Sequence, residues 1–418
     1  MAGEWRASTW GEEISLEYGK ALRDYDKASG KYRVFGSNGP IGWTDKPLAS
    51  GPGVILGRKG AYRGVEFSRA PFFVIDTAYY VVPKSEFDMR WLYYAIKHHK
   101  LGEIDDGSPI PSTTRSAVYV RDFDVPPLAE QKAIAAVLGA LDEKIELNRR
   151  MNATLETMAR ALFQSWFVDF DPVRAKLDGR APATLDPATA SLFPEHIDRS
   201  EDFPRPKGWK SSRLGDHVDL VRGNTYKSKL KDLPGPYLFG LGSIHRNGGF
   251  RNDSLRTYGG ESAPKLILRP GDLFASLKDV TQAAHLLGAV ARVPVEIPAG
   301  RLTQDTVKLV PRDTGISFAY LYRTLLHPEY REYCRGRATG TTNLGLSRED
   351  FLNYPVLVPP KPIQDAFDAF DSRVEFKIAN NRIQSSTLAT LRDTLLPKLL
   401  RGELSVNNLK LHKELLNA

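Results

Sequence analysis

Sliding the 418-residue sequence along itself by 233 positions lays Gly107–Phe163, without a gap, on Gly340–Leu396. The match starts with Val125-Pro126-Pro127 and Gln131 against Val358-Pro359-Pro360 and Gln364. It continues with Lys144-Ile145 on Lys377-Ile378, Asn148-Arg149 on Asn381-Arg382, and Thr154-Leu155 with Thr157 on Thr387-Leu388 with Thr390. Unrelated amphipathic helices share apolar spacing, but not a Pro-Pro start and an Asn-Arg pair in one register, so the chain is read as a duplication. Upstream the likeness is looser: Trp10-Gly11-Glu12-Glu13-Ile14 echoes Leu214-Gly215-Asp216-His217-Val218, and Pro52-Gly53-Val54-Ile55 echoes Pro270-Gly271-Asp272-Leu273. A long unit that occurs only twice does not suit a solenoid.

The better-matched stretches read as long helices entered at the Pro-Pro pairs. One heptad position runs Ile134, Leu141, Asn148, Leu155, Leu162, beside Leu138, Ile145, Ala159 and Trp166, a seam broken by Asn152. The second copy gives Phe367, Val374, Asn381, Leu388, Leu395, with Ile378 and Leu399 beside them. Two arrangements satisfy such stripes: each helix packs on its own globular block, or the two pair as a coiled coil, which the narrow sustained stripe favours. If a two-fold relates the halves, the helices run antiparallel and Asn148 faces Asn381, polar residues at a core position that fix register.

The variable blocks read as β-rich. Gly53–Gly57, Pro71–Asp76 and Ala78–Val82 are short β-branched or aromatic runs bounded by Gly, Pro and Asp, followed by a helix over Phe87–His99. Tyr237–Phe239, Asp272–Ala275 and Val307–Val310 repeat the plan, with a helix over Ser317–Leu326. The stretch Asp171–Arg205, rich in Pro, Ala and Asp, reads as a linker. The expected fold is α+β: two mixed α/β domains separated by two long helices packed as an antiparallel coiled coil, with an internal pseudo-two-fold repeat. The boundaries expected are 1–125 and 205–358 for the domains, 126–170 and 359–402 for the helices, 171–204 for the linker and 403–418 for a tail.

Catalytic signatures are missing. Phe239-Gly240-Leu241-Gly242 is followed by turn residues, where a nucleotide-cradling loop needs a helix. The Pro-Pro pairs lack the polar and aromatic neighbours that would hold an exocyclic amine, and Gly57-Arg58-Lys59-Gly60 lacks the spacing of a P-loop. His98-His99 cannot face one metal from a helix and reads as a solvated helix end. One cysteine, Cys334, excludes a disulfide framework and suits a reducing compartment. No run approaches the ~18 apolar residues of a membrane span. A cytoplasmic binding protein with two similar recognition units is the expectation.

Six stretches together carry a resemblance: Phe35–Gly42 (FGSNGPIG), Gly57–Tyr62 (GRKGAY), Ile75–Val81 (IDTAYYV), Val125–Gln131 (VPPLAEQ), Leu162–Phe170 (LFQSWFVDF) and Leu395–Leu404 (LLPKLLRGEL). In that order the chain resembles, over nearly its whole length, the specificity subunits of type I restriction–modification systems, in which two target-recognition domains alternate with two similar helical regions. It departs at Pro359-Pro360-Lys361-Pro362-Ile363-Gln364, which puts the second helix start in doubt. The resemblance implies a non-catalytic subunit whose domains each read half of a bipartite sequence in double-stranded DNA while the helices set the gap. It implies two methyltransferase subunits, which bring S-adenosylmethionine, and motor–nuclease subunits that use ATP and Mg, with no cofactor on this chain. A free-standing DNA-binding protein or antirestriction decoy is the alternative.

Base edges are read by Arg, Lys, Asn, Gln, Ser or Thr on loops. The first domain offers Ser37-Asn38-Gly39, Arg58-Lys59-Gly60 with Arg63, and Ser108 with Ser112-Thr113. The second offers Ser243, His245-Arg246-Asn247, Lys278 with Thr281, and Thr341-Thr342-Asn343. Tyr62 and Trp43 either pack or stack on a flipped base. Lys132, Glu143 and Arg160 are helix-surface candidates for partner docking. The formal charge of +8 is uneven: residues 1–125 hold 17 basic and 16 acidic groups, residues 205–358 hold 23 and 14. The first domain should therefore depend less on salt than the second.

Overall fold

The computed structural model describes residues 5–25, 29–105, 107, 109–198, 204–312 and 315–406. It divides into two compact units, one formed by the chain up to Leu147 together with Gln384 onward, the other by Asn148–Ile383. Each unit holds one β-rich block and part of both long helices.

In the first unit, four antiparallel strands lie in the order Ile14–Tyr18, Ala78–Pro83, Gly53–Gly57, Val65–Ser68. Beside them, Tyr32–Gly36 pairs antiparallel with Gly39–Thr44 and parallel with Phe72–Val74. The helix Met89–His98 starts where the Asp88 carboxylate accepts the N–H groups of Arg90 and Trp91. It buries Trp91, Leu92, Ala95 and Ile96, and these share a core with Ile134 and Leu138 of the first long helix and Leu399 of the second. The His98-His99 pair is half-buried, not solvated: His99 packs edge-on to Trp10 at 5.5 Å, and burial holds both imidazoles below their usual value.

The second unit repeats the plan. Its antiparallel order is Val218–Arg222, Thr306–Pro311, Leu273–Ser276, Val290–Arg292, and Tyr237–Phe239 runs parallel to Gly300–Leu302. Ile14 lies opposite Pro83 and Val218 opposite Pro311, so these strands correspond residue for residue. In that frame Ile55, opposite Tyr80, corresponds to Phe274, opposite Lys308. The echo of Pro52–Ile55 in Pro270–Leu273 is therefore one residue out of register, since a loop of different length precedes each strand.

The long helices are Leu128–Phe167 and Lys361–Leu400, each of 40 residues and roughly 60 Å long at 1.5 Å per residue. They begin at the same point of the repeat. Pro362 falls in the first turn, where its missing N–H would have had no intrahelical acceptor, so the departure from the family pattern leaves the start unchanged. The pairing is antiparallel in each unit. In the second, Phe163 meets Phe367, Leu155 and Ala159 pack with Val374 and Ile378, and Asn148 Nδ2 donates to the Asn381 carbonyl at 3.3 Å. Asn381 in turn donates to Asn152 Oδ1 at 2.8 Å, which accounts for the break at Asn152. In the first, Asp142 accepts from Arg392 at 2.7 Å. Ile134, Leu138, Phe367, Val374 and Ile378 are fully buried, whereas Leu141, Ile145, Leu155, Leu162, Leu388 and Leu395 are half-buried.

Two buried glutamines explain the seed of the repeat. Gln131 accepts the Asp88 N–H at 3.0 Å and donates to the Pro126 carbonyl at 2.9 Å. Gln364 accepts the Ser317 N–H at 2.7 Å and donates to the Pro359 carbonyl at 2.8 Å. Each amide thus joins the start of a long helix to the cap of its domain helix. Gln364→Ala leaves a buried N–H and C=O without partners, and unfolding measurements should register a loss of about 1–3 kcal/mol.

The segment expected as a linker folds. Asp171–Leu177 and Pro187–Ser191 are helices, and Val173 and Phe193 enter the core of the second unit with Trp166 and Trp209. Pro172 and Pro187 sit in first turns, so prolines that suggest a flexible stretch are helix starters.

Candidate nucleic-acid interface

Three of the loop segments expected to read DNA in the first domain converge. The Ser37 Oγ donates to the Thr77 carbonyl at 2.6 Å and accepts the Lys59 N–H at 3.2 Å. Gly60 N–H donates to the Pro111 carbonyl, Thr113 N–H to the Arg58 carbonyl, and Lys59 forms an antiparallel bridge with Ser112. Asn38 and Lys59 project outward from this cluster, and Ser112 and Gly60 lie at its surface. Gly39 is buried, with φ +105, a conformation that favours glycine at this hairpin turn.

Two residues expected to face DNA are turned inward. The Arg63 guanidinium is committed to the carbonyls of Gly60, Gly102 and Ile104, so it organises the loop and offers no fork to a base. Thr113 is 0% exposed and donates to the Ile104 carbonyl. Ser108 lies outside the described residues. Tyr62 is 77% exposed, which removes core packing as its role, and Trp43 carries the Arg33 guanidinium 4.6 Å from its ring.

The second unit uses the same construction. Lys278 bridges Gly345, and the Leu346 N–H bonds the Leu277 carbonyl as Thr113 does Arg58. The Gln282 amide donates to the Thr341 carbonyl at 3.0 Å, bringing Thr341-Thr342-Asn343 beside the loop of Lys278 and Thr281. Lys278 pairs with Asp305 at 3.1 Å, and Thr281 bonds the Asp279 carboxylate through its N–H and hydroxyl. Ser243 is buried and donates to the Leu238 carbonyl, so it is structural. His245-Arg246-Asn247 is an exposed turn that lines a cavity of about 1250 Å³ with Arg160, Glu375 and Arg382. Lys278, Thr281 and Thr341–Asn343 do not contribute to that cavity.

Of the helix-surface candidates, Lys132 is exposed, Arg160 lines the cavity, and Glu143 is held by Arg69 and Arg90, which ties helix to domain. Among the described residues no cluster of His, Cys, Asp and Glu could hold a metal, and no helix is long and apolar enough to cross a membrane.

Residue type and periodicity give no sign of one cluster in the first unit. Arg58 and Arg115 both stack on Tyr18, with guanidinium carbons 5.0 and 4.2 Å from its ring centre. Both also lie within 6 Å of the Tyr79 ring. Hydrogen bonding with Tyr79, followed by the two cations, holds the Tyr18 phenol below its usual value, while burial pushes Tyr79 up to about 12.

Residues 7–157 match the family model described as the type I restriction modification DNA specificity domain. Over 378 residues the chain is 26% identical to a Haemophilus influenzae protein named type I restriction enzyme HindI specificity subunit, covering 80% of each. It is 26% identical over 345 residues to the Methanocaldococcus jannaschii type I restriction enzyme MjaIX specificity subunit, covering 79% of this chain and 72% of that one. The crystal structure of a type I restriction–modification S subunit from M. genitalium shares the fold, with a TM-score of 0.60 at 19% identity over 95% of this chain and 96% of the other.

Proposed function

We propose that the chain is the DNA-recognition subunit of a type I restriction–modification complex and that each β-rich block reads one half of a bipartite target, a reading supported by the specificity-domain match over residues 7–157 and by the likeness to named specificity subunits over 80% of the chain. The observation that carries this reading is the duplication of one scaffold with different surface residues: the strand order is common to both units, while the loops it presents differ. Such a chain offers two similar frames to two unlike half-sites. The long helices set the separation of the half-sites and dock two methyltransferase subunits. S-adenosylmethionine, ATP and Mg act in the methyltransferase and motor–nuclease partners, and this chain contributes recognition without a reaction centre of its own.

Affinity recovery of the tagged chain from its own cells tests the assignment. Two methyltransferase subunits per chain are expected, together with adenine methylation at one bipartite motif that disappears when the gene is deleted. A lone monomer that binds DNA tightly would point instead to a free-standing DNA-binding or decoy protein.

A further inference from the structure

The Tyr18 cluster has a counterpart that the strand registers and the ungapped repeat reveal together. Ile14 corresponds to Val218, which carries Tyr18 onto Arg222 at the end of the same edge strand. The bridge of Lys59 with Ser112 corresponds to that of Lys278 with Gly345. Three residues beyond each bridge partner stands the first residue of a short helix, Arg115 in Arg115–Tyr119 and Arg348 in Arg348–Leu352. Each unit therefore sets a lysine and two arginines around one end of its four-stranded sheet: Lys59, Arg58 and Arg115 in the first, Lys278, Arg222 and Arg348 in the second. The second arginine comes from a different strand end in each, so the charge is shared although the sequence positions are not.

These groups are incompletely neutralised. Around Tyr18, the Nε atoms of Arg58 and Arg115 are buried without a hydrogen-bond partner, and among the described residues the one ion pair of these two arginines, Arg115 with Glu17, spans 3.6 Å. Two guanidinium groups against a single ring leave a local positive excess in a domain that is almost neutral as a whole. In the second unit Lys278 pairs with Asp305, whereas Arg222 and Arg348 are exposed and make no ion pair among the described residues. Stacking against Tyr18 fixes the planes of the first pair and lowers the entropy lost on gripping an oxyanion.

We propose that the two clusters are the phosphate grips of the two recognition units, holding the DNA backbone at each half-site while the adjoining Asn38, Ser112 and Thr341–Asn343 loops face the bases. The inference rests on the DNA-recognition reading above and adds to it a division of labour between backbone-holding and base-reading residues.

The test uses the full-length chain in the complex recovered from its own cells. Fluorescence anisotropy follows a duplex carrying the motif found by methylation mapping, and a scrambled duplex, across a series of KCl concentrations. For Arg58→Ala/Arg115→Ala, and separately for Arg222→Ala/Arg348→Ala, affinity for both duplexes should fall by a similar factor of about ten or more. The slope of log K against log [KCl] should become shallower by roughly 1.8, about 0.9 for each phosphate no longer neutralised. The Arg→Lys pairs, which keep the charge, should retain the wild-type slope and control for folding. An unchanged slope in the alanine pairs, or a loss confined to the specific duplex, overturns the inference while leaving the recognition reading intact. A wild-type complex that cannot distinguish the two duplexes defeats the recognition reading itself.

Discussion

Replacing Arg323 with alanine is expected to destabilise the second unit by about 3–5 kcal/mol, the range for removing one partner of a buried ion pair. The Arg323 side chain is 1% exposed and lies at the centre of a network that pins the domain helix Phe318–Leu326 to both long helices. It donates to Asp371 at 2.8 Å, to Glu156 at 2.9 Å and to Glu375 at 3.2 Å, and Arg292 shares Asp371 at 3.0 Å. Burial holds the Glu375 carboxyl above its usual value, with Arg292 and Arg323 pulling it down. Without Arg323 that opposition weakens. A carboxyl whose folded value is raised adds stability below its unfolded value and loses it as pH rises through the folded one. The deficit of Arg323→Ala should accordingly be larger at pH 8 than at pH 5. Urea unfolding followed by tryptophan fluorescence at both values measures this. Combined with Asp371→Ala, the two losses should be non-additive by about 0.5–3 kcal/mol, since both break the same ion pair. Strict additivity, or a deficit independent of pH, would reject the ion-pair account.

Phe367→Ala should cost a similar amount, about 3–5 kcal/mol, by a different route. Phe367 is 0% exposed, and its ring lies 5.1, 5.9 and 6.2 Å from those of Phe167, Phe163 and Trp166. Alanine leaves a hole among rigid rings that cannot collapse into it, so the lost transfer energy and the cavity term add. The repeat supplies the control: the corresponding residue of the other half is Ile134, also buried. Phe367→Ile should recover much of the loss, and Leu391→Ala, at a position 45% exposed on the same helix, should change the unfolding midpoint little. Equal effects from Phe367→Ala and Leu391→Ala would remove the cavity explanation.

The helices, their shared starting point and the meeting of Asn148 with Asn381 can be read from the sequence, because heptad spacing and an ungapped repeat are properties of local order. The strands are legible where β-branched runs end in Gly, Pro or Asp. The folded segment after Phe170 is not, because first-turn prolines and linker prolines look alike in composition. Inward-facing Arg63, Thr113 and Ser243 resemble readers of DNA in the sequence because residue type does not say which way a loop side chain turns. Arg115 and Arg348 fall on one another in the ungapped repeat, but helices of five residues are too short to show a period, so the sequence does not say which way they face. The correspondence of Lys59 with Lys278 needs strand registers, since loops of unequal length separate it from the ungapped part of the repeat.

The glutamine that ties each long helix to its domain has a mechanical consequence. One amide grips both the proline carbonyl at the helix entry and the N–H at the cap of the domain helix, so rotation about the long axis cannot occur without breaking both bonds. A single-residue slip in an α-helix turns a side chain by about 100°. Each domain is therefore keyed to one angular setting of its own stretch of helix. Turning a domain about its stretch of helix strains a buried amide at the helix entry, which favours one angular setting over its neighbours.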